Sequence, residues 1–371
     1  NSNKKSQKYM QSNKTQEKPL VIIMAGGKGE RFWPRSTIST PKQLQKIYSN
    51  KTLLQETIDR AKLITTNDRI FIGCNNELKK AIQKTHKISN SQFIIEPEAR
   101  NTAPVLALAA LILEERFPGC VQVILSADHF IQPLQKFKDS IETAIQVANQ
   151  NYLVTCGVRP NRPDSGYGYI QPLEKSKLGT VGFEIKQFHE KPDFNTAVKY
   201  VKQGFFWNSG IFIWKGSVIL EEFKEYAPDI FSPIESSYKS KAKLKSAFST
   251  LPSLPIDIAI MEKSKRRAVI PATFQWDDVG SWLAIDRIRQ EAKDQDGNIF
   301  INNESPIVTL SASNNIIVSN SKKLMALLGV KDLIFVETDS TIFIASKQKV
   351  DDIKSLIAKL KQKPALQRFL K

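Results

Sequence analysis

Leu20-Val21-Ile22-Ile23-Met24-Ala25 runs without interruption into Gly26-Gly27-Lys28-Gly29-Glu30-Arg31-Phe32-Trp33-Pro34. A short run that is apolar on both faces suits a strand buried inside a parallel sheet. Such sheets bind ligands just beyond the carboxyl ends of their strands, which is where the three glycines fall. Glycine lets backbone amides approach phosphate oxygens closely, and Lys28 and Arg31 can add charge-assisted contacts. The P-loop pattern G-x-x-x-x-G-K-[ST] is absent, and Phe32 stands where G-x-G-x-x-G needs its third glycine. The passage is therefore either a phosphate cradle of another kind or a tight turn.

Similar short apolar runs recur at 69–73, 92–95, 121–125 and 152–156. Between them, 52–63, 103–115 and 137–148 carry apolar residues at helical spacing. The alternation predicts an α/β domain of Rossmann-like character, with a mostly parallel mixed sheet and right-handed crossovers. Beyond residue 160 the pattern becomes less regular. Strands are expected at 167–170, 181–189 and 210–214, and helices at 217–226, 238–248, 256–262 and 282–291. The turn-rich stretch 294–303 marks a boundary. After it, short runs at 306–310, 315–318, 324–328, 333–337 and 341–345 predict a small β-rich unit, closed by an amphipathic helix over 350–360. No internal repeat stands out. The expected division is a tail at 1–18 (disordered, or added to the natural chain), a catalytic domain at 19–293 and a β-rich unit with a terminal helix at 294–371.

The chain has 371 residues, 41% hydrophobic and 25% charged, an ordinary globular composition. Its longest apolar stretch, about 103–113, is too short to cross a bilayer, which takes roughly 20 residues. Residues 1–18 are polar and lack the apolar core of a signal peptide. Cys74, Cys120 and Cys156 are too few and too scattered for a disulfide framework or a zinc site, and are expected to be reduced, buried thiols of a cytoplasmic protein. The net charge of +17 is concentrated at the two ends: five Lys against one Glu in the first 18 residues, and eight basic against two acidic in the last 25. Those ends read as solvated charge. Without a recognisable RRM, KH or helix-turn-helix motif, no nucleic-acid partner is expected.

Gly26-Gly27-Lys28-Gly29-Glu30-Arg31, followed by Trp33-Pro34 and Pro41-Lys42-Gln43, resembles the signature of the sugar-1-phosphate nucleotidyltransferases. Within that superfamily it is most similar to the mannose-1-phosphate guanylyltransferases. Further segments resemble the family in the same order: Glu96-Pro97 with Arg100-Asn101-Thr102-Ala103-Pro104; Ser126-Ala127-Asp128-His129; Gly166-Tyr167-Gly168-Tyr169-Ile170; Glu190-Lys191-Pro192; Trp207-Asn208-Ser209-Gly210; Asp257 to Lys263; and Asp278-Val279-Gly280-Ser281-Trp282. Each is weak alone. Their common order and compatible spacing carry the resemblance.

The resemblance implies transfer of GMP from GTP to mannose 1-phosphate, with pyrophosphate leaving. The nucleophile is already an anion, so the chemistry needs positioning and charge stabilisation more than a general base. By resemblance, Arg31 and Lys42 serve catalysis. Gly26, Gly27, Gly29, Arg100, Asn101 and Thr102 bind the nucleotide, and Gly168, Glu190, Lys191 and Asn208 bind the sugar phosphate. Asp128 and Asp278 hold Mg²⁺. Asp277 is the alternative to Asp278, and is otherwise expected to be a solvated turn residue. His129 is expected to orient or pack, and Trp207, Trp214, Trp276 and Trp282 to pack. Related sequences often carry a basic residue where Thr37 stands, so the resemblance implies no further phosphate contact from the loop there. Longer relatives continue into an isomerase domain, so no isomerase activity is expected of this chain. The small β-rich C-terminal unit resembles the family's short β-helix-like domain, which often supports dimers, so a homodimer is an expectation at the level of the fold alone. The alternatives are another sugar 1-phosphate or NTP, or a silent regulatory paralogue.

Overall fold

The computed structural model describes residues 17–27, 29–301 and 306–371; the expected tail and Lys28 lie wholly or mostly outside them. In chain order the strands of the first 277 residues are β1 (Leu20–Met24), β2 (Ile70–Cys74), β3 (Phe93–Ile95), β4 (Val121–Ser126), β5 (Phe130–Gln132), β6 (Leu153–Val158), β7 (Tyr169–Leu178), β8 (Gly182–His189), β9 (Phe206–Lys215), β10 (Arg267–Pro271) and β11 (Gln275–Asp277). Nine of them form one sheet in the order β3-β2-β1-β4-β9-β6-β10-β8-β7, and β5 pairs with β11.

β1 is buried on both faces, and its side chains divide between two cores. Leu20 and Ile22 pack on one side, Val21 and Ile23 on the other. Full burial of each such side chain contributes roughly 1.5–3 kcal/mol, so the run LVIIM belongs at the centre of the sheet. β1 lies parallel to both β2 and β4, with Ile22 opposite Phe71 and Ile124. The sheet is mixed. β9 runs antiparallel to β4, β6 and β7. That reversal matters, because it brings the start of β9 to the edge where β1, β2, β3 and β4 end.

The helix Thr102–Arg116 is apolar around its whole circumference. One side lies on the sheet, and the helices Gly216–Tyr226 and Pro228–Glu235 cover the other. The helix is therefore a middle layer and needs no polar face. The structure adds helices at Asn76–Thr85, Phe194–Lys202 and Pro228–Glu235 that the apolar spacing does not mark. Asn75 and Asp193 cap the first two through their side chains.

The β-rich unit holds β12 (Ile299–Ile301), β13 (Ile307–Leu310), β14 (Ile316–Val318), β15 (Met325–Leu328), β16 (Leu333–Glu337) and β17 (Ile342–Ser346). It contains the repeat that the sequence does not advertise. Ile299, Ile316 and Ile334 stack in parallel register, as do Ile307 and Met325. The corner before each inner strand is left-handed at Gly297, Asn314 and Asp332. Behind it, Asn298 and Asn315 are buried and hydrogen-bonded to each other, Nδ2 of Asn315 lying 2.9 Å from Oδ1 of Asn298. The period is carried by corner geometry and one apolar position, while the residues between vary freely.

The inner strands of this unit do not close on themselves. Ile299, Ile316, Ile334, Val336, Ile353 and Ile357 share one core with Phe32, Trp33, Tyr48, Trp282 and Ile285. The C-terminal unit is thus packed directly beneath the glycine loop. No helix among the described residues is long and apolar enough to cross a membrane.

Candidate active site

The chain leaves β1 at Ala25, whose amide still pairs with the Gly73 carbonyl. It turns through Gly27 and Gly29, both with positive φ, into a short helix at Glu30–Phe32. Gly29 has φ +62, and a Cβ there would lie 2.5 Å from Cβ of Lys42 and 2.6 Å from Oγ of Ser36. Only glycine allows the loop to close over the lysine. Around Gly26 and Gly27, by contrast, a Cβ would meet nothing within 4 Å. Phe32 and Trp33 anchor the loop in the core, leaving Arg31 exposed, with Nη1 3.4 Å from the Gly280 carbonyl.

Lys42 is 7% exposed. Its Nζ donates to Oδ2 of Asp128 at 2.6 Å and to the Asp278 carbonyl at 3.4 Å, above the Phe32 ring. Asp128 lies just past the end of β4, and its other oxygen accepts from the Ser126 hydroxyl at 2.6 Å. Burial acts to raise this carboxyl. Lys42, His129 and Ser126 outweigh it and hold Asp128 below the usual range. Gln43, the next residue, donates through Nε2 to the Gly26 carbonyl and ties the two motifs together.

Asp278 follows β11, and its Oδ1 accepts from the Tyr167 hydroxyl at 2.9 Å. A Cβ on Gly280 would fall 2.7 Å from Oδ2 of Asp278, so a glycine there leaves room for the carboxylate. The expectation for Asp277 is overturned: it is buried and makes a forked ion pair with Arg287, at 2.6 and 3.0 Å. Asp277 also accepts from the Val279 amide. The two neighbouring carboxylates thus part company: Asp277, the last residue of β11, is tied into structure, and Asp278, just past the strand, lines the cavity. His129 orients as expected, its Nδ1 accepting from Trp276 Nε1 at 3.1 Å, and burial pushes its pKa down. Trp207, Trp214 and Trp282 are buried packing groups, and the three cysteines are buried and free.

Gly26, Gly27, Gly29, Arg31, Lys42, Asp128 and Asp278 line one cavity of about 370 Å³. These residues come from the ends of β1 and β4, from the segment after β11, and from the loop between the first strand and first helix. The sugar-side candidates form a second group. The Asn208 amide donates to the Gly168 carbonyl at 2.8 Å, and a Cβ on Gly168 would lie 2.7 Å from Oε2 of Glu190. Lys191 Nζ pairs with Glu190 at 2.5 Å. Asp257, to which the sequence motifs give no role in the site, joins this group by accepting from Asn208 Nδ2 at 2.7 Å. Burial and the neighbouring Glu190 raise the Asp257 carboxyl.

Arg100, Asn101 and Thr102 stand apart from the cavity wall, at the start of the helix Thr102–Arg116. The Arg100 guanidinium donates to the Ser249 carbonyl and pairs with Glu98. The Asn101 side chain accepts from the Thr102 amide, and the Thr102 hydroxyl oxygen accepts from the Ile256 amide. Nearby Glu96 is buried, and its carboxyl is pushed up to about 7. The Thr37 hydroxyl donates to the Lys371 carbonyl at 2.7 Å. Tyr167 and Gln43 belong to the motif strings, but only the fold gives them partners.

Residues 20–295 match the family model described as Nucleotidyl transferase, and residues 306–360 match the MannoseP isomerase/GMP-like beta-helix domain. A mannose-1-phosphate guanylyltransferase of Klebsiella pneumoniae is 33% identical over 92% of this chain and 74% of its own length. One of Escherichia coli (strain K12) is 33% identical over 93% of this chain and 74% of its own. A crystal structure from Thermus thermophilus, described as a mannose-1-phosphate geranyltransferase, superposes with a TM-score of 0.84 at 26% identity, covering 93% of this chain and 99% of that one. The chain is therefore an enzyme of the nucleotidyl transferase family, and within it belongs with the mannose-1-phosphate guanylyltransferases.

Proposed function

We propose that this enzyme transfers GMP from GTP to mannose 1-phosphate, forming GDP-mannose and pyrophosphate. The observation that carries the reading is the single cavity wall on which the glycine loop, Arg31, Lys42, Asp128 and Asp278 converge. The names of the relatives supply the substrates.

The attacking atom is a phosphate oxygen of the sugar 1-phosphate, an anion at neutral pH. No base need take a proton from it. The obstacle is mutual repulsion of two polyanions, so catalysis lies in alignment and charge compensation. Backbone amides of Gly26, Gly27 and Gly29 approach the nucleotide phosphates, for which the open space above Gly26 and Gly27 leaves room. Arg31 and Lys42 offset charge around the α-phosphorus. Arg100, Asn101 and Thr102 flank the guanosine. Glu190, Asp257 and Asn208 meet the sugar hydroxyls beside Gly168, and Lys191 holds the sugar phosphate. The Asn208 side chain has its orientation set, since Oδ1 accepts from the Thr155 hydroxyl at 3.0 Å.

Asp128 and Asp278 offer hard oxygen donors on one wall, which fits a Mg²⁺ held by two carboxylates, waters and substrate phosphates. No group of three or more His, Cys, Asp or Glu is assembled for a metal among the described residues. When bound, Mg²⁺ would supply charge neutralisation between the phosphates. Lys42, the partner of Asp128 in this structure, would turn to the nucleotide phosphates as the carboxylate is taken up. We also propose a homodimer. What supports it is the exposed apolar side chains of Val308, Leu310, Leu328, Ile342 and Ile344 on β13, β15 and β17, which a partner copy would cover. The free thiols suit a reducing cytoplasm.

The test is pyrophosphate release across four NTPs and a panel of sugar 1-phosphates, with and without EDTA. Release confined to GTP with mannose 1-phosphate, lost in EDTA and restored by Mg²⁺, is expected. Release with another pair overturns the specificity, and no release with any pair overturns the activity. Light scattering on the purified protein checks the dimer, and a monomer at micromolar concentration removes it.

A further inference from the structure

The wall of the phosphate cavity contains one residue from the far end of the chain. Lys354 lines it beside Arg31, Asp128, Asp278 and Gly280. Lys354 is exposed and has no ion-pair partner among the described residues. It sits in the first turn of the helix Ile353–Lys361, which belongs to the C-terminal unit.

The placement of this helix is built in by several contacts. Ile353 and Ile357 are buried in the core that also holds Phe32, Trp33 and Trp282. Lys361, two turns beyond Lys354, pairs with Glu30 of the glycine loop at 3.0 Å. The segment after the helix follows the loop further. The Trp33 indole donates to the Phe369 carbonyl at 2.9 Å, and the Ile38 and Ser39 amides donate to the carbonyls of Leu370 and Lys371. The glycine loop thus has the C-terminal helix as its floor, and Lys354 is the residue of that helix that reaches the cavity.

We infer that Lys354 is a phosphate-binding residue that holds the leaving pyrophosphate. The inference rests on the proposed nucleotidyl transfer and deepens it. An in-line displacement puts the entering sugar phosphate and the departing pyrophosphate on opposite sides of the α-phosphorus. The sugar-side group, Gly168, Glu190, Lys191 and Asn208, contributes nothing to this cavity wall, whereas Lys354 lies among the glycine-loop residues. In the step, the sugar-phosphate oxygen forms its bond to the α-phosphorus. The bond from that phosphorus to the bridging oxygen breaks, and the electron pair leaves on pyrophosphate. The Lys354 side chain offsets the charge that develops there and takes part in no bond change. The C-terminal unit then completes the active site as well as supporting the loop.

Two measurements test this on the full chain. The first is steady-state kinetics of Lys354→Ala and Lys354→Arg. Loss of a charge-assisted phosphate contact should lower kcat/KM for GTP by about tenfold or more in the alanine variant, leave KM for mannose 1-phosphate unchanged, and be largely restored by arginine. The second is calorimetric binding of magnesium pyrophosphate to wild type and Lys354→Ala, expected to weaken by a similar factor. Equal pyrophosphate binding by the two proteins overturns the inference even if activity changes. If wild type fails to turn over GTP with mannose 1-phosphate yet loses pyrophosphate binding on substitution, the functional reading fails and the lysine site stands. Should the alanine variant lose thermal stability, Lys354→Gln keeps much of the stem's packing and takes its place in both measurements.

Discussion

Nζ of Lys42 lies 2.6 Å from Oδ2 of Asp128, joining a residue of the loop after the first strand to one at the end of the fourth. Both members are shielded from solvent, with side chains 8% and 21% exposed. The contact neutralises a carboxylate at the place where the fold would otherwise assemble unopposed negative charge.

Replacing Lys42 by Met should therefore injure both stability and catalysis. Removing one partner of a shielded pair typically costs about 3 kcal/mol, because the other charge is left without compensation. Turnover should fall by roughly 10²-fold or more, the scale of one lost electrostatic group. The stability difference has a defined pH dependence. Asp128 titrates below its ordinary 3.8 in the folded protein, so the pair's contribution is full above that value and is lost as pH falls through the folded pKa. Urea titrations at pH 7 and pH 3 check this: the gap between wild type and Lys42→Met should shrink in acid. An undiminished gap would mean that the lysine stabilises by packing alone.

The two ends of the glycine loop should respond differently to alanine. Gly29→Ala forces a side chain onto a left-handed backbone and against Lys42 and Ser36, and should destabilise by about 1–2 kcal/mol before the clash is counted. Gly26→Ala meets open space and should leave the melting temperature unchanged. It should nevertheless raise KM for GTP, since the space it enters is the one proposed for the nucleotide phosphates. Calorimetric melting and nucleotide kinetics on the two variants separate the effects. Equal melting temperatures would contradict the packing described for Gly29.

Asp277 and Asp278 are adjacent but should separate by phenotype. Asp277→Asn breaks the forked pair with Arg287 and should cost on the order of 3 kcal/mol. Asp278→Asn keeps an acceptor for Tyr167, should fold normally, and should lose roughly 10²-fold in turnover. Thermal melts beside pyrophosphate-release rates distinguish them. The reverse pattern would exchange their roles.

Asp257 should give the sugar side a pH signature. Its carboxyl is raised to about 7 by burial and by Glu190, so the folded protein binds its proton more tightly than the unfolded chain does. Stability from this group is then lost as pH rises from about 4 to about 7. Asp257→Asn removes the penalty. It should be more stable than wild type at pH 8 and equal to it near pH 4, with a higher KM for mannose 1-phosphate. Parallel stability curves across that range would show that Asp257 is not the titrating group.

Much of the fold is legible in the chain itself. β1 can be read because five consecutive apolar residues have few other places to go, and the helices Leu53–Ala61 and Leu134–Ala148 because their apolar residues recur with a 3.6-residue period. The helix Asn76–Thr85 escapes such a reading since only Leu78 and Ile82 are buried in it, too little to register as a period. The stacked coils at Ile299, Ile316 and Ile334 escape it for a related reason. Their repeat lies in backbone corners that Gly297, Asn314 and Asp332 satisfy with three different residues. The site is legible as motifs: the glycines, Lys42, Asp128, Glu190 and Asn208 each sit in a recognisable local string.

Local sequence determines the first strand, the glycine loop and the choice of residue types, because backbone conformation and burial period depend on near neighbours. Only long-range packing decides which of those residues meet. Lys42 reaches Asp128, Tyr167 reaches Asp278, and Lys354 reaches the glycine loop only through the sheet register and the shared core beneath Phe32 and Trp33. The same packing holds Asp277 inward and leaves Asp278 to the cavity, because the forked pair with Arg287 fixes the first carboxylate in structure while the chain turns away past the end of β11.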